Sequence, residues 1–211
     1  MKTEAEPEAD RLNFLAEPIG VSLAGFEEFD FEHTASWSHV ELYAAAVGKD
    51  IDMNFLKAVL VISYYYPELH DALVEELRTS DALDGLVGTV EFVECVFKLW
   101  NEKSYYGVWR EILDQLGRFN IWRTAEWEWT NDGKTARKYE MLAALDNKFP
   151  YLLVKFYAAH AKEIHAHDEM FMLWLRRRVE VRSAKDPMSA RVLKAMDKDI
   201  SRMNRTAMFM S

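Results

Sequence analysis

Apolar side chains recur along most of this chain at steps of three and four residues, the pitch of amphipathic helices. Ser38 and Glu41 form an S-x-x-E capping box, which predicts a helix from Ser38 to about Gly48. Asp52 suits the cap of the next helix, MNFLKAVLVISYYY, which Pro67 interrupts. Pro67 then fits the first turn of PELHDALVEEL. Two more helices are expected in LVGTVEFVECVFKLWNE (86–102) and YYGVWREILDQLG (105–117), with Gly117 as a stop. Pro150 opens a long helix to about Val181, and Asp186-Pro187 supplies a cap and a first-turn proline for a last helix to about Arg205.

Two stretches break the helical pattern. In GFEEFDFEH (25–33), Phe29 and Phe31 alternate with acids, which suggests a short edge strand or an extended segment. In residues 121–141 an Asn131-Asp132-Gly133 turn and the alternation of Trp127 and Trp129 permit a hairpin. A helix from near Asp132 through ARKYEMLAAL fits that stretch equally well. The expected fold class is mainly α: a single helical-bundle-like domain with a possible small β-hairpin and a C-terminal amphipathic helix. Residues 1–12 read as a disordered acidic N-terminus, 13–182 as the helical domain and 183–211 as a basic arm.

Composition narrows the picture further. Half of the 211 residues are apolar, while 8 glycines and 5 prolines leave little room for a turn-rich sandwich. Cys95 is the sole cysteine, so an intramolecular disulfide and Cys-rich zinc sites are excluded. Cys95 lies in the apolar run VEFVECVFKLW and reads as buried and inert. The opening MKTEAEPEAD is acidic and has no apolar h-region. The longest apolar run, FLKAVLVISYYYP, includes Lys57 and is too short to span a bilayer. No transmembrane segment is therefore expected, and the cytoplasm is the expected compartment. Phosphate-loop, dinucleotide-loop and nucleophile-elbow motifs are missing. Charge is unevenly spread: residues 1–52 hold 12 acids and 3 bases (−9), residues 53–175 hold 19 and 13 (−6), and residues 176–211 hold 4 and 10 (+6).

AAHAKEIHAHDEMF (158–171) looks most like chemistry. On a continuous helix His160, Glu163 and His167 share a face with Leu153, Phe156, Ile164, Phe171 and Trp174, while His165, Asp168 and Glu169 point to water. Spacings of three and four bring His160, Glu163 and His167 within reach of one ion, and zinc, iron or manganese would suit them. Further ligands would have to come from a second helix, with Glu91 and Glu94 as candidates. The alternative is a long helix with two interior histidines hydrogen-bonded to partners such as Glu163.

His70-Asp71 resembles the paired ligands of HD-type metal phosphohydrolases, which are all-helical. In that family an upstream histidine, a His-Asp pair and a distant aspartate collect one divalent metal. Here His33 or His39 lies upstream and Asp146, in LAALDNKFP, downstream. The resemblance implies the set His39, His70, Asp71 and Asp146, and hydrolysis of nucleotide phosphates by metal-activated water. The simpler reading has Glu68 and Asp71 favouring the start of a helix through its macrodipole.

In PMSARVLKAMDKDISRMNR, Arg191, Lys194, Lys198, Arg202 and Arg205 fall within about 80° of one another at helical pitch. Met188, Val192, Met196, Ile200 and Met203 lie opposite. Such a stripe could engage nucleic-acid phosphates, anionic lipid or an acidic protein surface, including residues 1–52 of another copy. Alternatively the apolar side docks on the domain itself and the cations are only solvated. Arg176, Arg177 and Arg178 extend the positive region. Trp122, Trp127, Trp129 and Tyr139, interleaved with Arg123, Lys134, Arg137 and Lys138, could hold single-stranded nucleic acid or anchor a protein partner.

The function expected from the sequence is that of a non-catalytic interaction or assembly protein. Its partner-binding residues would be Arg191, Lys194, Lys198, Arg202, Arg205, Met196, Met203, Trp127 and Trp129. A protein partner or self-association comes first, with nucleic acid second, and no cofactor is expected. The alternative is a helical metal-dependent hydrolase carrying one divalent metal.

Overall fold

The computed structural model describes residues 16–24, 26, 29, 30, 33, 36–64, 66–100 and 134–210. These residues are mainly helical, with no strand among them. After a 3-10 turn at Glu17–Ile19, the α-helices are α1 (Trp37–Ala46), α2 (Met53–Ser63), α3 (Pro67–Thr79), α4 (Asp84–Val87), α5 (Val90–Trp100), α6 (Lys134–Lys148), α7 (Leu152–His167), α8 (Glu169–Ser183) and α9 (Pro187–Met210). The chain divides into two compact units, Met1–Phe149 and Pro150–Ser211. The beginning of the expected arm, residue 183, falls inside the second unit, at the end of α8.

The first unit is built around α2. Phe55, Leu56 and every residue from Ala58 to Ser63 are buried there, so the helix is covered on nearly all sides. Asp52 caps it as expected, accepting from the Phe55 N–H at 2.8 Å. Lys57 is the one charged group on α2; its Nζ donates to Glu91 on α5 at 2.6 Å. α3 packs on α1, α2 and α6, and α5 packs on α2 and α6. α3 buries Leu69, His70, Leu73, Val74 and Leu77, a stripe at helical spacing. Lys148, at the end of α6, reaches Asp84 at 2.6 Å and Asp81 at 3.2 Å, and donates to the Ser80 carbonyl.

Several boundaries differ from the sequence reading for local reasons. Ser36, not Ser38, is the residue before the first turn of α1; its hydroxyl contacts Ser38 and His39, at 2.7 and 2.8 Å. α1 ends as expected at Gly48, whose φ of +68° closes a Schellman turn in which Lys49 N–H donates to the Ala44 carbonyl. The segment 86–102 is not one helix. α4 stops at Gly88, and α5 restarts with the Thr89 hydroxyl accepting from Phe92 N–H at 3.2 Å. A Cβ on Gly88 would lie 2.8 Å from the Asp84 carbonyl oxygen and 3.2 Å from the Phe149 ring. Of the stretch expected as an edge strand or an extended segment, Phe26, Phe29, Asp30 and His33 are described and none is in a strand; Phe29 N–H donates to the Phe26 carbonyl at 3.1 Å. The rings of Phe26 and Phe29 pack on Tyr43, with Phe26 also against Phe55. Of residues 121–141, 134–141 are helical; the hairpin expected around Trp127 and Trp129, and the helix expected at 105–117, lie outside the described residues.

The second unit is the three helices α7, α8 and α9, packed pairwise. Its apolar contacts come from Leu152, Leu153, Phe156, Tyr157 and Ile164 on α7, Phe171, Met172, Leu175 and Val179 on α8, and Met196 on α9. Polar ties complement this smaller set. Asp168 caps α8 through Phe171 N–H at 3.0 Å. Asp186 caps α9, accepting from the N–H groups of Met188 and Ser189 and from the Ser189 hydroxyl, and Tyr151 O–H donates to it across from α7. Arg176 on α8 donates to Asp197 on α9 at 2.7 Å.

Candidate functional site

The long helix expected from Pro150 to Val181 is interrupted twice. His160 has non-helical backbone angles (φ −119°, ψ 18°), and Asp168 ends α7 and caps α8. A face drawn through an unbroken helix therefore does not carry over from Leu153 to Trp174. The His160 ring lies tilted against Phe156 with centroids 4.8 Å apart, and its Nδ1 lies 3.9 Å from a Glu163 carboxylate that is largely exposed. His167 belongs to α7, and its side chain lies outside the described residues. His165, expected to face water, is half-buried; its Nδ1 is shut from solvent and meets no hydrogen-bond partner among the described residues. Glu91, a candidate extra ligand, is held by Lys57 at 2.6 Å.

The His70 region has a different character. Pro67 starts α3, so His70 sits in the first turn and points into the first unit, fully buried. Its Nε2 lies 3.1 Å from the Arg137 carbonyl on α6, and its Nδ1 lies 3.3 Å from Asp71 Oδ1. A carbonyl only accepts, so Nε2 carries a proton, and in the neutral ring Nδ1 has a lone pair facing a carboxylate. Burial pushes the imidazole below its ordinary pKa, against the opposing pull of the Asp71 and Arg137 hydrogen bonds. Trp100 approaches the ring edge-on, with centroids 6.0 Å apart.

Glu140, one turn beyond Arg137 on α6, completes the neighbourhood. One atom each of His70, Asp71 and Glu140 lie within 4.8 Å of one another; among the described residues this is the donor group of metal-binding composition. The set implied by the family resemblance is not gathered as a whole. His39, on α1, is exposed and bonded to Ser36, and Asp146 is buried on α6, outside that group. His33, the other upstream candidate, pairs with Asp30 at 2.8 Å. No spacing relates Glu140 to His70; only the packing of α3 on α6 joins them. Arg78 also reaches Glu140, with Nη2 at 3.0 Å from Oε1.

Of the cations that could line a nucleic-acid groove, Arg137 and Lys138 are used within the first unit, while Arg123 and the Lys134 side chain lie outside the described residues. Arg137 donates to the Ser63 and Tyr64 carbonyls at the end of α2. Lys138 is buried, with Nζ 4.6 Å from the Phe97 ring centre. Cys95 is buried, and burial raises its thiol pKa, which suits an unreactive role.

α9 runs as one helix through the whole stripe. Arg191, Lys194, Lys198, Arg202 and Arg205 are all exposed. Arg202 pairs with Asp199 at 3.3 Å, and Arg205 donates to the Ser201 carbonyl. Arg191, Lys194 and Lys198 meet no carboxylate among the described residues. On the other side Met196 is buried in the second unit, Met203 is half-buried and Met188 is exposed. Met196 is thus occupied by its own unit and unavailable as a partner contact in this arrangement. Arg176 and Arg177 are paired with Asp197 and Glu180, and Arg178 lies over the Trp174 ring.

Compared with family models, curated proteins and solved structures, the chain matches none. Among the described residues no helix is long and apolar enough to cross a membrane.

Proposed function

We propose that this chain is a non-catalytic interaction protein whose α9 presents a cationic face to an acidic protein surface, and that a second copy supplies that surface. The observation carrying this reading is the row Arg191, Lys194 and Lys198, exposed on one helix and without carboxylate partners among the described residues. The charge balance supports a protein over a nucleic acid. Residues 150–211 hold 12 bases and 7 acids, a net +5, while residues 1–149 hold 14 bases and 28 acids, a net −14. A polyanion drawn to α9 would be repelled by the rest of the chain, whereas a second copy offers residues 1–52, net −9, as the complement. Trp127 and Trp129 are further partner contacts in this reading, and the cytoplasm is its compartment.

The test is native mass spectrometry and sedimentation of the full chain across a salt series. The wild-type chain should self-associate at low salt and dissociate as screening rises. The variant Arg191→Glu/Lys194→Glu/Lys198→Glu should remain monomeric throughout. The same oligomer distribution for both chains at every salt concentration would refute the reading. Salt-sensitive binding of an oligonucleotide by a monomeric wild-type chain would replace the protein partner with nucleic acid.

A further inference from the structure

The contact between His70 and Asp71 leaves room for a cation as well as for a proton. With the Nε2 proton committed to the Arg137 carbonyl, Nδ1 and Asp71 Oδ1 face each other at 3.3 Å as two lone-pair donors. A proton shared between the two atoms would make them an ordinary hydrogen bond. A cation between the two atoms satisfies both. The separation fits that solution: bonds of about 2.0–2.1 Å to a tetrahedral ion set ligand atoms about 3.3–3.4 Å apart. Glu140 supplies a third oxygen within the same group.

We propose that His70 Nδ1 and the carboxylates of Asp71 and Glu140 bind one divalent first-row transition-metal ion, of which zinc is the representative. The ring is oriented by the backbone carbonyl behind it, the arrangement by which histidine ligands are fixed in their tautomer. Both carboxylates sit on the outer side of the buried ring: Asp71 is 71% exposed and Glu140 41% exposed, so water has access to a fourth position. Three protein ligands and an open place make a site that exchanges ligands, not a closed structural one. Arg78 opposes the ion. Its guanidinium holds Glu140 Oε1 at 3.0 Å and must share that carboxylate when metal enters. This site is independent of the α9 face, which belongs to the other unit.

Full-length protein freed of metal with a chelator and titrated with zinc chloride should bind one equivalent per chain. The exposed-residue variants Asp71→Asn and Glu140→Gln each remove a ligand without emptying the core, and each should weaken binding at least tenfold. Arg78→Gln should strengthen it by releasing Glu140. His160→Gln, in the other unit, should leave the constant unchanged. In the wild-type protein the 15N resonance of His70 Nδ1, not Nε2, should move on saturation. No stoichiometric zinc binding, or binding unaltered in the Asp71→Asn/Glu140→Gln chain while the fold is intact, would overturn the site.

Discussion

α2 and α9 use their surfaces in opposite ways. α2 buries eight of its eleven residues and carries one charge, Lys57, which is paired. α9 is 24 residues long, yet Ser189 and Met196 are its buried side chains among those described. Hydrophobic burial is not screened by salt and does not titrate, so α2 anchors its unit under most conditions. α9 instead relies on Asp186 at its start and the Arg176–Asp197 pair along its length. Partly buried hydrogen bonds and ion pairs of that kind still respond to protons and salt. The first unit is therefore suited to hold a fixed geometry, and the second to present a charged surface.

The largest effects should fall on the helix with most to lose. Leu56→Ala removes a wholly buried side chain from α2 and should cost about 3–5 kcal/mol in chemical denaturation. Met196→Ala, buried on α9 but flanked by half-exposed neighbours, should cost about 2 kcal/mol, because its surroundings can close over the gap. Equal losses would erase the contrast between the two helices. Gly88→Ala should come next, at about 1–3 kcal/mol, since the added methyl meets a backbone oxygen that cannot turn aside.

These contrasts were only partly readable from the sequence. Asp52, Pro67, Gly48 and Asp186-Pro187 act through their own immediate backbone, so their roles follow from local chemistry. The break at His160 and Asp168 was hidden because AAHAKEIHAHDEMF contains neither proline nor glycine; Asp168 looked like a solvent-facing side chain and turned out to be a cap. The exposed cations of α9 follow from helical pitch alone, whereas the burial of Met196 depends on its being packed against α7 and α8. Glu140 was the least legible. Its place beside His70 depends on two helices 70 positions apart in the chain meeting at one register, and no local spacing encodes that.

Caps of the same chemistry in the two units offer a finer comparison. Asp52 and Asp168 each accept from the N–H three residues on, at 2.8 and 3.0 Å. Asp52→Ala and Asp168→Ala should each cost about 1 kcal/mol. Hydrogen exchange should distinguish them. Loss of the α8 cap should speed exchange in the first turn of α8, while α2, covered on nearly all sides, should keep its protection after loss of its own cap. Comparable exposure of both first turns would indicate that burial of α2 does not protect its end.

The smallest expected effect is the pH response of α9. The Ser189 and Tyr151 hydroxyls donate to Asp186 and hold its carboxyl well below the ordinary carboxylate range. A group with a depressed folded pKa stabilises the fold fully above its unfolded value, about 3.9, and loses that contribution as pH falls towards the folded value. Acid below about pH 4 should therefore loosen the start of α9 while the buried helix α2 keeps its protection. Exchange across residues 187–200, corrected for the intrinsic rate at each pH, would measure this. Asp186→Asn should show the looser behaviour already at neutral pH and a flat profile below it, because an amide cannot regain the charged acceptor. A wild-type profile as flat as the variant's would mean that the Asp186 carboxylate is not what holds α9 at its first turn, leaving the Arg176–Asp197 pair and Met196 to do so.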